Sequence, residues 1–523
     1  MKRILTTLVL LLAVAPMARA ETTGAMLDSL ERTAFQFFWT EANPANGLIR
    51  DRSTPGSPCS IASVGFGLSA ICVGVDHGWV SRPAAASRVL TTLQTFWNGP
   101  QSSAASGTIG YQGFFYHFLD MNTATRSGTT ELSSIDTALL LAGILDAGRY
   151  FDAVDPTEDQ IRILADQIYR RVNWKFMQNF NPGILMGWKP GTGFSGFGQW
   201  IGYNEAMILY ILALGSPTHA VAPSAWSAWT SGYIWHTQYG YSYVRFPPLF
   251  GHQYSHCWID FRGKQDAYMM GTGIDYFENS RRATLAQRAY CIANPGGFTG
   301  YSDVLWGLTA GDGPYGYAAR GAPPPEGDNG TITPTAAIGS IPFAPEVVIP
   351  TIANLYDNYK ASLWGPYGFR DGFNLTLGWW ATDVIGIDQG PIILMIENYA
   401  TQSVWNRFMQ SPEIQLGLDR AGFVQTTDVP RPAPGAGRLE LHRSEPNPFS
   451  SATTIRFRLA QPGHVRLTVY DVAGREIARL VDGELSAGLH QATLRGAGLP
   501  SGVYRYRIDY GGTSAWKPCV LLR

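Results

Sequence analysis

Residues 199–219 read QWIGYNEAMILYILALGSPTH, and an uninterrupted apolar run lies at the centre of this stretch. The run covers residues 206–214, and Gly215 followed by Pro217 is typical of the end of a helix. A helix that is apolar on every side is normally buried in a protein core. The sequence therefore predicts a central helix, surrounded by other elements, in this part of the chain.

One carboxylate stands at the start of this helix. Asn204 is a predicted N-cap, and Glu205 falls in the predicted first turn, in a region rich in Trp, Tyr and Gly. Glu205 has two interpretations: it complements the helix dipole, or it performs acid–base chemistry. A first-turn position lowers the pKa of a Glu, whereas a general acid needs a raised pKa. For the second interpretation, burial or a neighbouring carboxylate has to outweigh the dipole.

The chain as far as residue 427 is mostly helical in pattern. The predicted helices cover residues 26–41, 61–77, 83–97, 132–151, 157–174, 206–214, 223–233, 264–279, 281–293, 345–359 and 390–409, the last in one or two pieces, and an extended hairpin is predicted at 107–120. About a dozen helices, joined by short turns and by long Gly- and aromatic-rich loops, suit an all-α (α/α)6 toroid. A solenoid also fits the helix count, but no fixed-period repeat is visible. We therefore predict a toroid over residues 21–427.

The first residues carry an export pattern. Lys2 and Arg3 precede an apolar run at residues 4–16, which is followed by Ala18-Arg19-Ala20. This pattern predicts a signal peptide over residues 1–20, and its apolar run is too short for a transmembrane helix. No later stretch is long enough either. We therefore expect an exported protein with no transmembrane segment, located in the periplasm, on the cell surface or outside the cell.

The amino-acid composition limits which partners and cofactors are expected. The 523 residues are 45% hydrophobic and carry a formal net charge of −1, which gives no reason to expect a nucleic-acid partner. The five cysteines are odd in number and match no metal motif, so at most one or two disulfides, no metal and no cofactor are expected. The 16 Trp and 25 Tyr suit a surface that stacks on sugar rings, although they also fill cores. A monomer is expected.

The character of the sequence changes after residue 427. Residues 428–437, DVPRPAPGAG, form a predicted Pro/Gly linker. Beyond them, strands with alternating apolar and polar residues are predicted at 453–459, 464–471, 490–496 and 502–510. The sequence therefore predicts a small all-β sandwich over residues 438–523.

Two further carboxylate groups are candidates for chemistry. Glu131 and Asp136 lie in TTELSSIDTALLLAG, where helix capping and local hydrogen bonding are the structural alternative. Asp383 and Asp388 lie in WWATDVIGIDQGP, where the alternative is N-capping and loop bracing. Hydrolysis of a glycosidic bond needs two carboxyl groups that flank the bond. A closed helical ring with carboxylates at its loop-bearing end can supply that pair.

Polar and aromatic residues in the loops are candidates for hydrogen bonding or stacking to sugars. The spacing of His252, His256 and Asp260 also fits a metal set on one helix face, but the surrounding Gly and aromatic residues favour a loop, so sugar binding is the preferred interpretation. The predicted substrate-binding residues are Tyr203, Asn204, His252, Gln253, His256, Asp260, Arg262, Arg281, Trp379 and Asp383.

Several long motifs, in this order along the chain, resemble the glycoamylase-like family. They are GYNEAMILYILALGSPTH, PPLFGHQYSHCWIDFRG, NSRRATLAQRAYCIANP, WGLTAGDGPYGY, LWGPYGFRDGFN and GIDQGPIILMIENY. The family includes the endo-β-1,2-glucanases of glycoside hydrolase family 144, and the resemblance covers residues 26–423. It implies an (α/α)6 barrel and an inverting hydrolase that acts on linear β-1,2-glucan.

The resemblance also implies roles for particular residues. Glu205, in the GYNE turn, corresponds to the general acid, and Glu131 and Asp136 are expected near the scissile bond. Asp388 is the aspartate of GIDQGP. The resemblance leaves open whether Asp136 or Asp388 activates the water.

The C-terminal part of the sequence resembles the Ig-like sorting domains of bacterial proteins exported by type IX secretion. The motifs NPF, VYDVAGREI and LPSGVY carry this resemblance. It implies an Ig-like sandwich that engages the outer-membrane secretion machinery. A β-sandwich spacer or a carbohydrate-binding module is the alternative, and the absence of a row of tryptophans along these strands disfavours sugar binding.

The leading hypothesis is an exported glycoside hydrolase that cleaves β-1,2-glucan internally to short oligosaccharides, with an oligo- or polysaccharide as its partner. The alternatives are another glucan hydrolase or a β-1,2-glucan transglycosylase on the same fold, and a non-catalytic surface protein that captures glucan. Glu205→Gln distinguishes the catalytic hypotheses from the last one, because a capture protein does not need an acid.

Overall fold

The computed structural model describes residues 15–425, 440–441, 444, 446–459, 462–471, 475–486, 488–510 and 513–522, with side chains from residue 24 onward. Contacts divide the chain into two compact units, Met1–Val429 and Pro430–Arg523. Most of the predicted signal peptide and all of the predicted linker at 428–437 lie outside the described residues. Both remain predictions.

The first unit is helical. Over residues 15–425 its helices are α1 Ala15–Thr40, α2 Ile61–Asp76, α3 Arg82–Asn98, α4 Ser134–Tyr150, α5 Pro156–Arg171, α6 Trp174–Gln178, α7 Met207–Gly215, α8 Ser224–Thr230, α9 Ala267–Thr272, α10 Tyr276–Ala293, α11 Pro334–Ile338, α12 Pro345–Leu363, α13 Gly386–Ala400, α14 Ser403–Phe408 and α15 Pro412–Arg420. Two 3-10 helices cover Leu249–His252 and Tyr254–Cys257. The helical class that the sequence predicts is confirmed.

Burial separates the helices into central and peripheral ones. All nine residues of α7 are buried, as the apolar run predicts, and α2 and α4 are also buried on nearly every side. Helix α5 instead buries one stripe and presents a polar face to solvent, which is typical of a peripheral helix.

The central helices contact one another in a closed circuit. Helix α2 packs on α4, α4 on α7, and α7 on the 3-10 helix Tyr254–Cys257; this last element packs on α13, which returns to α2. The contact between α2 and α4 is backbone to backbone, because a Cβ placed on Gly143 would lie 1.9 Å from the carbonyl oxygen of Gly65. Side chains larger than hydrogen at these two positions would force the two helices apart.

Some helix boundaries differ from the prediction. The predicted helices 264–279 and 281–293 are instead α9 and α10, separated by Gly273 in a left-handed conformation at φ +73°. Asp275 then caps α10 by accepting a hydrogen bond from the backbone of Glu278. The break between the two helices therefore lies at Gly273 and the Asp275 cap, and Arg281 and Arg282 lie inside α10. Helices α6, α11 and α15 were not predicted.

Short two-residue and four-residue strands brace the loops of the helical unit. They are β1 Cys59–Ser60, β2 Gly110–Tyr111, β3 Phe114–Phe115, β4 Phe118–Leu119, β5 Leu132–Ser133, β6 Gly187–Trp188, β7 Trp235–Gln238, β8 Tyr241–Val244, β9 Lys264–Gln265, β10 Thr331–Ile332, β11 Trp364–Gly365, β12 Gly368–Phe369, β13 Phe373–Asn374, β14 Trp379–Trp380 and β15 Val424–Gln425. The hairpin predicted at 107–120 is present as the antiparallel pair β2 and β3. Strand β1 pairs with β4, and β5 pairs with β6.

The second unit is rich in strands. Its described strands are β16 Glu440–Leu441, β17 Ala452–Leu459, β18 Gly463–Tyr470, β19 Glu476–Leu485, β20 Gly488–Arg495, β21 Gly502–Tyr510 and β22 Thr513–Leu521. They form two antiparallel sheets, of order β16-β17-β20 and β19-β18-β21-β22. Alternate residues such as Ile455, Phe457 and Leu467 are buried in its core. The four predicted strands are present, and β16, β19 and β22 are additional.

The five cysteines, all in described segments, are buried free thiols. Within the described part of the chain, no helix combines the length and the apolar character that crossing a membrane requires.

Candidate active site

A cavity of about 280 Å³ lies where several central helices begin. Ser60 precedes α2, Asp136 lies in the first turn of α4, Glu205 precedes α7, and Ile385 precedes α13. The cavity is lined by Asp51, Arg52, Ser60, His117, Phe118, Ile135, Asp136, Leu139, Glu205, Phe250, Tyr254, Ala310, Tyr317, Ile385 and Ile387. Helix N-termini favour negative charge, which suits a cavity with several carboxylates.

The turn before α7 positions Glu205. Gly202 adopts φ +86°, and a Cβ there would lie 3.0 Å from the carbonyl oxygen of Gly232, so this turn requires glycine. The hydroxyl of Ser255 donates a hydrogen bond to the carbonyl oxygen of Glu205 at 3.0 Å and accepts one from the backbone of Ile208 at 3.0 Å. The backbone on both sides of the helix start is thereby fixed to the 3-10 helix Tyr254–Cys257.

The predicted N-cap of α7 is wrong by two residues. The helix begins at Met207 with Ala206 as its N-cap, so Glu205 lies before the first turn. Asn204 does not cap the helix; its side-chain oxygen accepts hydrogen bonds from the backbone of Ala206 at 3.0 Å and from the indole of Trp229 at 3.3 Å. These contacts occupy the side-chain oxygen of Asn204 inside the protein.

Glu205 has the electrostatic character of an acid. Burial in the cavity wall, with a smaller contribution from the charge of Asp136, raises the pKa of Glu205 from 4.5 to about 7. The helix dipole does not prevail, because the charged form of Glu205 loses its hydration in the wall. At neutral pH a substantial fraction of Glu205 is therefore protonated.

A histidine that the sequence analysis did not select stands between two predicted carboxylates. His117 lines the cavity; its Nδ1 lies 2.9 Å from Oε1 of Glu131 and its Nε2 lies 3.7 Å from Oδ2 of Asp136. Burial lowers the pKa of His117, but Asp136 and Glu131 outweigh it and raise the pKa to about 9. The hydrogen bond from His117 in turn lowers the pKa of Glu131. Glu131, His117 and Asp136 thus form a charged triad at neutral pH.

Local structure fixes this triad. Ser133 caps α4 by accepting a hydrogen bond from the backbone of Asp136, and its hydroxyl donates to the carboxylate of the same residue. The backbone N–H of His117 donates to the carbonyl oxygen of Glu131 at 2.9 Å. The capping role that the sequence analysis gave as an alternative for this region therefore belongs to Ser133, and the carboxylate of Asp136 faces the cavity.

Arg52 is the cation on another wall of the cavity. Its guanidinium donates hydrogen bonds to Asp51 at 3.3 Å and Asp312 at 3.0 Å, and it lies 3.6 Å from Asp383. Asp383 also accepts a hydrogen bond from the hydroxyl of Thr54. Of the predicted substrate-binding residues, Asp383 is thus beside the cavity, where it helps to position Arg52.

Asp388 lies behind the cavity wall rather than on it. It is buried and interacts with Asp371, a carboxyl that also accepts a hydrogen bond from the backbone of Asp312. Burial raises the pKa of Asp388 well above its ordinary value, and the charge of Asp371 raises it further. Two neighbouring buried carboxyl groups cannot both be ionised at low cost, so Asp371 and Asp388 share a proton, and burial raises the pKa of both.

Three buried polar residues of the 245–266 loop, His252, Gln253 and His256, do not line the cavity. His252 and His256 are completely buried, and burial lowers the pKa of each to about 3. Nε2 of His252 lies 3.1 Å from the carbonyl oxygen of Phe246, and Nε2 of His256 lies 3.1 Å from the hydroxyl of Ser280. Gln253 donates hydrogen bonds to main-chain and hydroxyl oxygens of the segment 336–340. These three side chains connect core elements.

Other predicted substrate-binding residues also have partners inside the fold. The ring of Tyr203 is buried against His252 and Trp229, and Asp260 forms an ion pair at 2.8 Å with Arg262. Arg281 donates to the carbonyl oxygen of Phe343 and pairs with Glu346, and Trp379 belongs to β14. None of these residues lines the cavity described above. Their role in sugar binding remains a prediction.

Several cavity residues were missed although they lie in motifs that the sequence analysis quoted. Tyr254 is in PPLFGHQYSHCWIDFRG, and Tyr317 ends WGLTAGDGPYGY. Asp371, which interacts with Asp388 behind the cavity wall, is in LWGPYGFRDGFN. Asp51 and Arg52 lie in the loop after α1, outside those motifs. Charged pairs such as Asp51-Arg52 in a Gly- and Pro-rich loop are the pattern that could have indicated them.

Comparisons with known proteins cover both units. Residues 198–412 match the family described as "Putative glucoamylase", and residues 446–521 match the "Secretion system C-terminal sorting domain". The sorting domain indicates export, which confirms that sequence prediction.

One curated relative is the "Exo beta-1,2-glucooligosaccharide sophorohydrolase (non-reducing end)" of Parabacteroides distasonis. It is 32% identical over 433 residues, a region that covers 76% of this chain and 58% of the relative. The chain therefore spans less than two thirds of the length of this relative.

Solved structures resemble the helical unit along nearly their whole length. A "putative glucoamylase" of Bacteroides uniformis is 36% identical with a TM-score of 0.72, and the match covers 77% of this chain and 98% of that one. The endo-β-1,2-glucanase of Chitinophaga pinensis, in complex with sophorotriose and glucose, is 28% identical with a TM-score of 0.71 and the same coverage. The chain therefore belongs to the glycoamylase-like family and carries a secretion-system sorting domain in residues 446–521.

Proposed function

We propose that this protein is an exported glycoside hydrolase that cleaves β-1,2-linked glucan, with Glu205 as the general acid. The observation that carries the proposal is a carboxyl group on a cavity wall whose burial raises its pKa to about 7. Such a group is protonated when it meets the glycosidic oxygen and ionised after it has donated its proton. The two β-1,2-glucan hydrolases among the similar proteins support this choice of linkage.

The second carboxyl group in the proposed mechanism is Asp136, which accepts a proton from the attacking water. Asp136 lines the same cavity as Glu205, whereas Asp388 lies behind the wall and shares a proton with Asp371. The protonated imidazole of His117 stabilises the ionised form of Asp136. We assign an inverting reaction, in which the acid and the base flank the bond with room for a water between them.

The finer architecture belongs to the same proposal. The closed circuit of central helices supports an (α/α)6 toroid in the first unit. The two antiparallel sheets over a common core, and the hydrogen bond from the Tyr504 hydroxyl to the carbonyl oxygen of Pro500, support an Ig-like sandwich in the second. We propose that the mature protein begins after residue 20, is a monomer, and uses its sorting domain to engage the outer-membrane secretion machinery.

Product analysis tests the proposal. Purified protein is incubated separately with linear β-1,2-glucan, β-1,3-glucan, β-1,4-glucan and starch. Short oligosaccharides from the β-1,2 polymer alone are expected. Products from starch would refute the linkage, and glucan binding without any product would indicate a capture protein. Longer chains than those supplied would indicate a transglycosylase.

The identity of the base is tested by comparing Asp136→Asn with Asp388→Asn. Asp136→Asn is expected to lower turnover by roughly 10²-fold or more, since it removes the proton acceptor. Asp388→Asn is expected to lower turnover less, because the amide can still donate a hydrogen bond to Asp371. A larger loss in Asp388→Asn would assign the base to the buried pair.

Internal cleavage is the preferred mode, and cleavage from a chain end is the second candidate. The exo-acting name of the Parabacteroides distasonis relative, at 32% identity, is the observation that favours the second. The time course of products separates the two modes. Internal cleavage releases a ladder of oligosaccharides early and rapidly lowers the viscosity of the polymer, whereas end cleavage releases one short product from the start.

A further inference from the structure

Three ligand-type side chains converge far from the cavity. Glu31 of α1, His77 at the C-terminal end of α2 and Glu397 near the C-terminal end of α13 place one potential ligand atom each within 4.8 Å of one another. The cavity is at the other end of α2, and a helix of this length spans about 24 Å. The cluster is therefore separate from the candidate active site.

One atom of this cluster lacks a partner. Glu31 is 3% exposed, and its Oε1 accepts no hydrogen bond within the part of the chain that the structure describes. A buried carboxylate without a partner is costly, and it would be stabilised by a cation.

The other two side chains are already oriented. Nε2 of His77 and Oε2 of Glu397 are hydrogen-bonded at 2.9 Å. This distance is close to the separation of about 3.3 Å between neighbouring ligands in a tetrahedral zinc site, so a cation that replaces the proton between them requires little movement of either side chain. The hydroxyls of Thr401 and Ser403 donate to Oε1 of Glu397. Oδ1 of Asp28 lies 3.9 Å from Nδ1 of His77, on the side away from Glu397. This distance is too long for a hydrogen bond, so Asp28 contributes only negative charge near the imidazole.

From this geometry we infer that Glu31, His77 and Glu397 form a binding site for a divalent transition-metal cation such as Zn²⁺. One imidazole and two carboxylates suit zinc, and an imidazole is a poor ligand for Ca²⁺. The side chain of His77 is 25% exposed, which leaves a path for entry and a place for a coordinating water. The C-terminal ends of α2 and α13 also favour a cation.

The consequence is structural rather than catalytic. The site connects α1 and α2, the first two helices of the chain, with α13, which follows most of the helical unit. A bound cation would therefore stabilise the closure of the central circuit of helices. Because the cation binds the folded protein in preference to the unfolded chain, its binding free energy adds to the free energy of unfolding.

The test uses the full chain without a polyhistidine tag, freed of metal by chelation. Calorimetric titration with Zn²⁺ is expected to reveal one site per chain, and Zn²⁺ is expected to raise the unfolding temperature. Co²⁺ in the same site is expected to give a visible absorption band from nitrogen and oxygen ligands. Ca²⁺ is expected to change neither readout, and stabilisation by Ca²⁺ without Zn²⁺ would overturn the inference.

Variants separate this site from surface binding. Glu31→Gln keeps the shape and removes a ligand, so zinc affinity is expected to fall at least about 100-fold. Asp28→Asn removes only a nearby charge outside the ligand set, so its effect on zinc affinity is expected to be smaller. Glu326→Gln makes the same chemical change in a surface ion pair with Arg245 and is expected to bind like wild type. Glu31→Gln relieves a buried repulsion, so it is expected to fold without metal. Unchanged zinc affinity in Glu31→Gln would refute the site, as would no zinc binding by the wild type.

Discussion

Glu205→Gln should lower the hydrolytic activity and raise the free energy of unfolding, and both effects follow from the burial of the Glu205 carboxyl group. Burial raises the pKa of Glu205 from 4.5 to about 7. Between these values the folded protein binds more protons than the unfolded chain, so the free energy of unfolding falls as pH rises through this window. A shift of about 2.5 pKa units lowers the free energy of unfolding by about 3 kcal/mol, and this loss is complete above pH 7. Contact of the carboxyl group with cavity water makes this value an upper limit.

Glutamine has the same shape but neither the charge nor the acidic proton. Above about pH 7 the variant is therefore expected to be more stable than wild type by up to about 3 kcal/mol, and this difference should vanish near about pH 4.5. Its turnover of β-1,2-glucan is expected to fall roughly 10²-fold or more. In the wild type, kcat/KM should decline as pH rises through about 7, because the acid loses its proton.

Two assays measure these effects on the same samples. Urea unfolding at about pH 5 and about pH 8.5 gives the stability difference, and release of reducing sugar from linear β-1,2-glucan gives the rate. Glu346→Gln, in a surface ion pair with Arg281, is the control and should change neither. A stability difference that is the same at both pH values, or a rate above about a tenth of wild type, would refute the assignment of Glu205 as a buried acid.

Three further substitutions test other parts of the structure. His117→Gln should destabilise the protein at about pH 6 but not at about pH 10. The pKa of His117 is about 9 in the folded protein, so the stabilisation by its charge is complete below pH 6.5 and is lost as pH rises through 9. Urea unfolding at both pH values measures this difference in stability. Asp388→Asn should keep the fold and be more stable than wild type at neutral pH, since a buried carboxyl group with a raised pKa lowers the stability there. A loss of stability at every pH of a series would contradict a proton shared between Asp371 and Asp388. Gly143→Ala should cost about 3 kcal/mol because its Cβ would meet the carbonyl of Gly65, whereas Gly271→Ala, with open space around it, should not destabilise; thermal unfolding compares the two.

Local patterns predicted most of the helices. The apolar run 206–214 appears as α7, and the amphipathic run at 26–41 forms the C-terminal part of α1, because apolar periodicity and terminal Gly and Pro act within a few turns of the chain. The same patterns failed between residues 264 and 293, where a left-handed glycine and an aspartate cap set the boundary. Helix starts depend on such single contacts, so they are predicted less well than helix interiors.

The candidate site was predicted in part. Glu205 and Asp136 were selected as carboxylates at the starts of apolar helices, and both line the cavity. His117 was not selected, because nothing in its own hairpin sequence indicates that Glu131 and Asp136 flank it. His252 and His256 were selected because they lie in a dense polar motif, and the structure buries both rings against core elements. Their role in sugar binding remains a prediction.

Sequence alone was therefore sufficient to predict the structural class of the two units, the family, and the position of the Glu205 carboxylate at the start of α7. Each of these depends on residues that are close together in the chain. The tertiary structure was needed to establish which side chains share one environment: the approach of His117 to two carboxylates, the pairing of Asp371 with Asp388, and the convergence of Glu31, His77 and Glu397 from three helices. A pKa is set by burial and by charges a few ångströms away, and helix packing brings those charges together from distant parts of the chain.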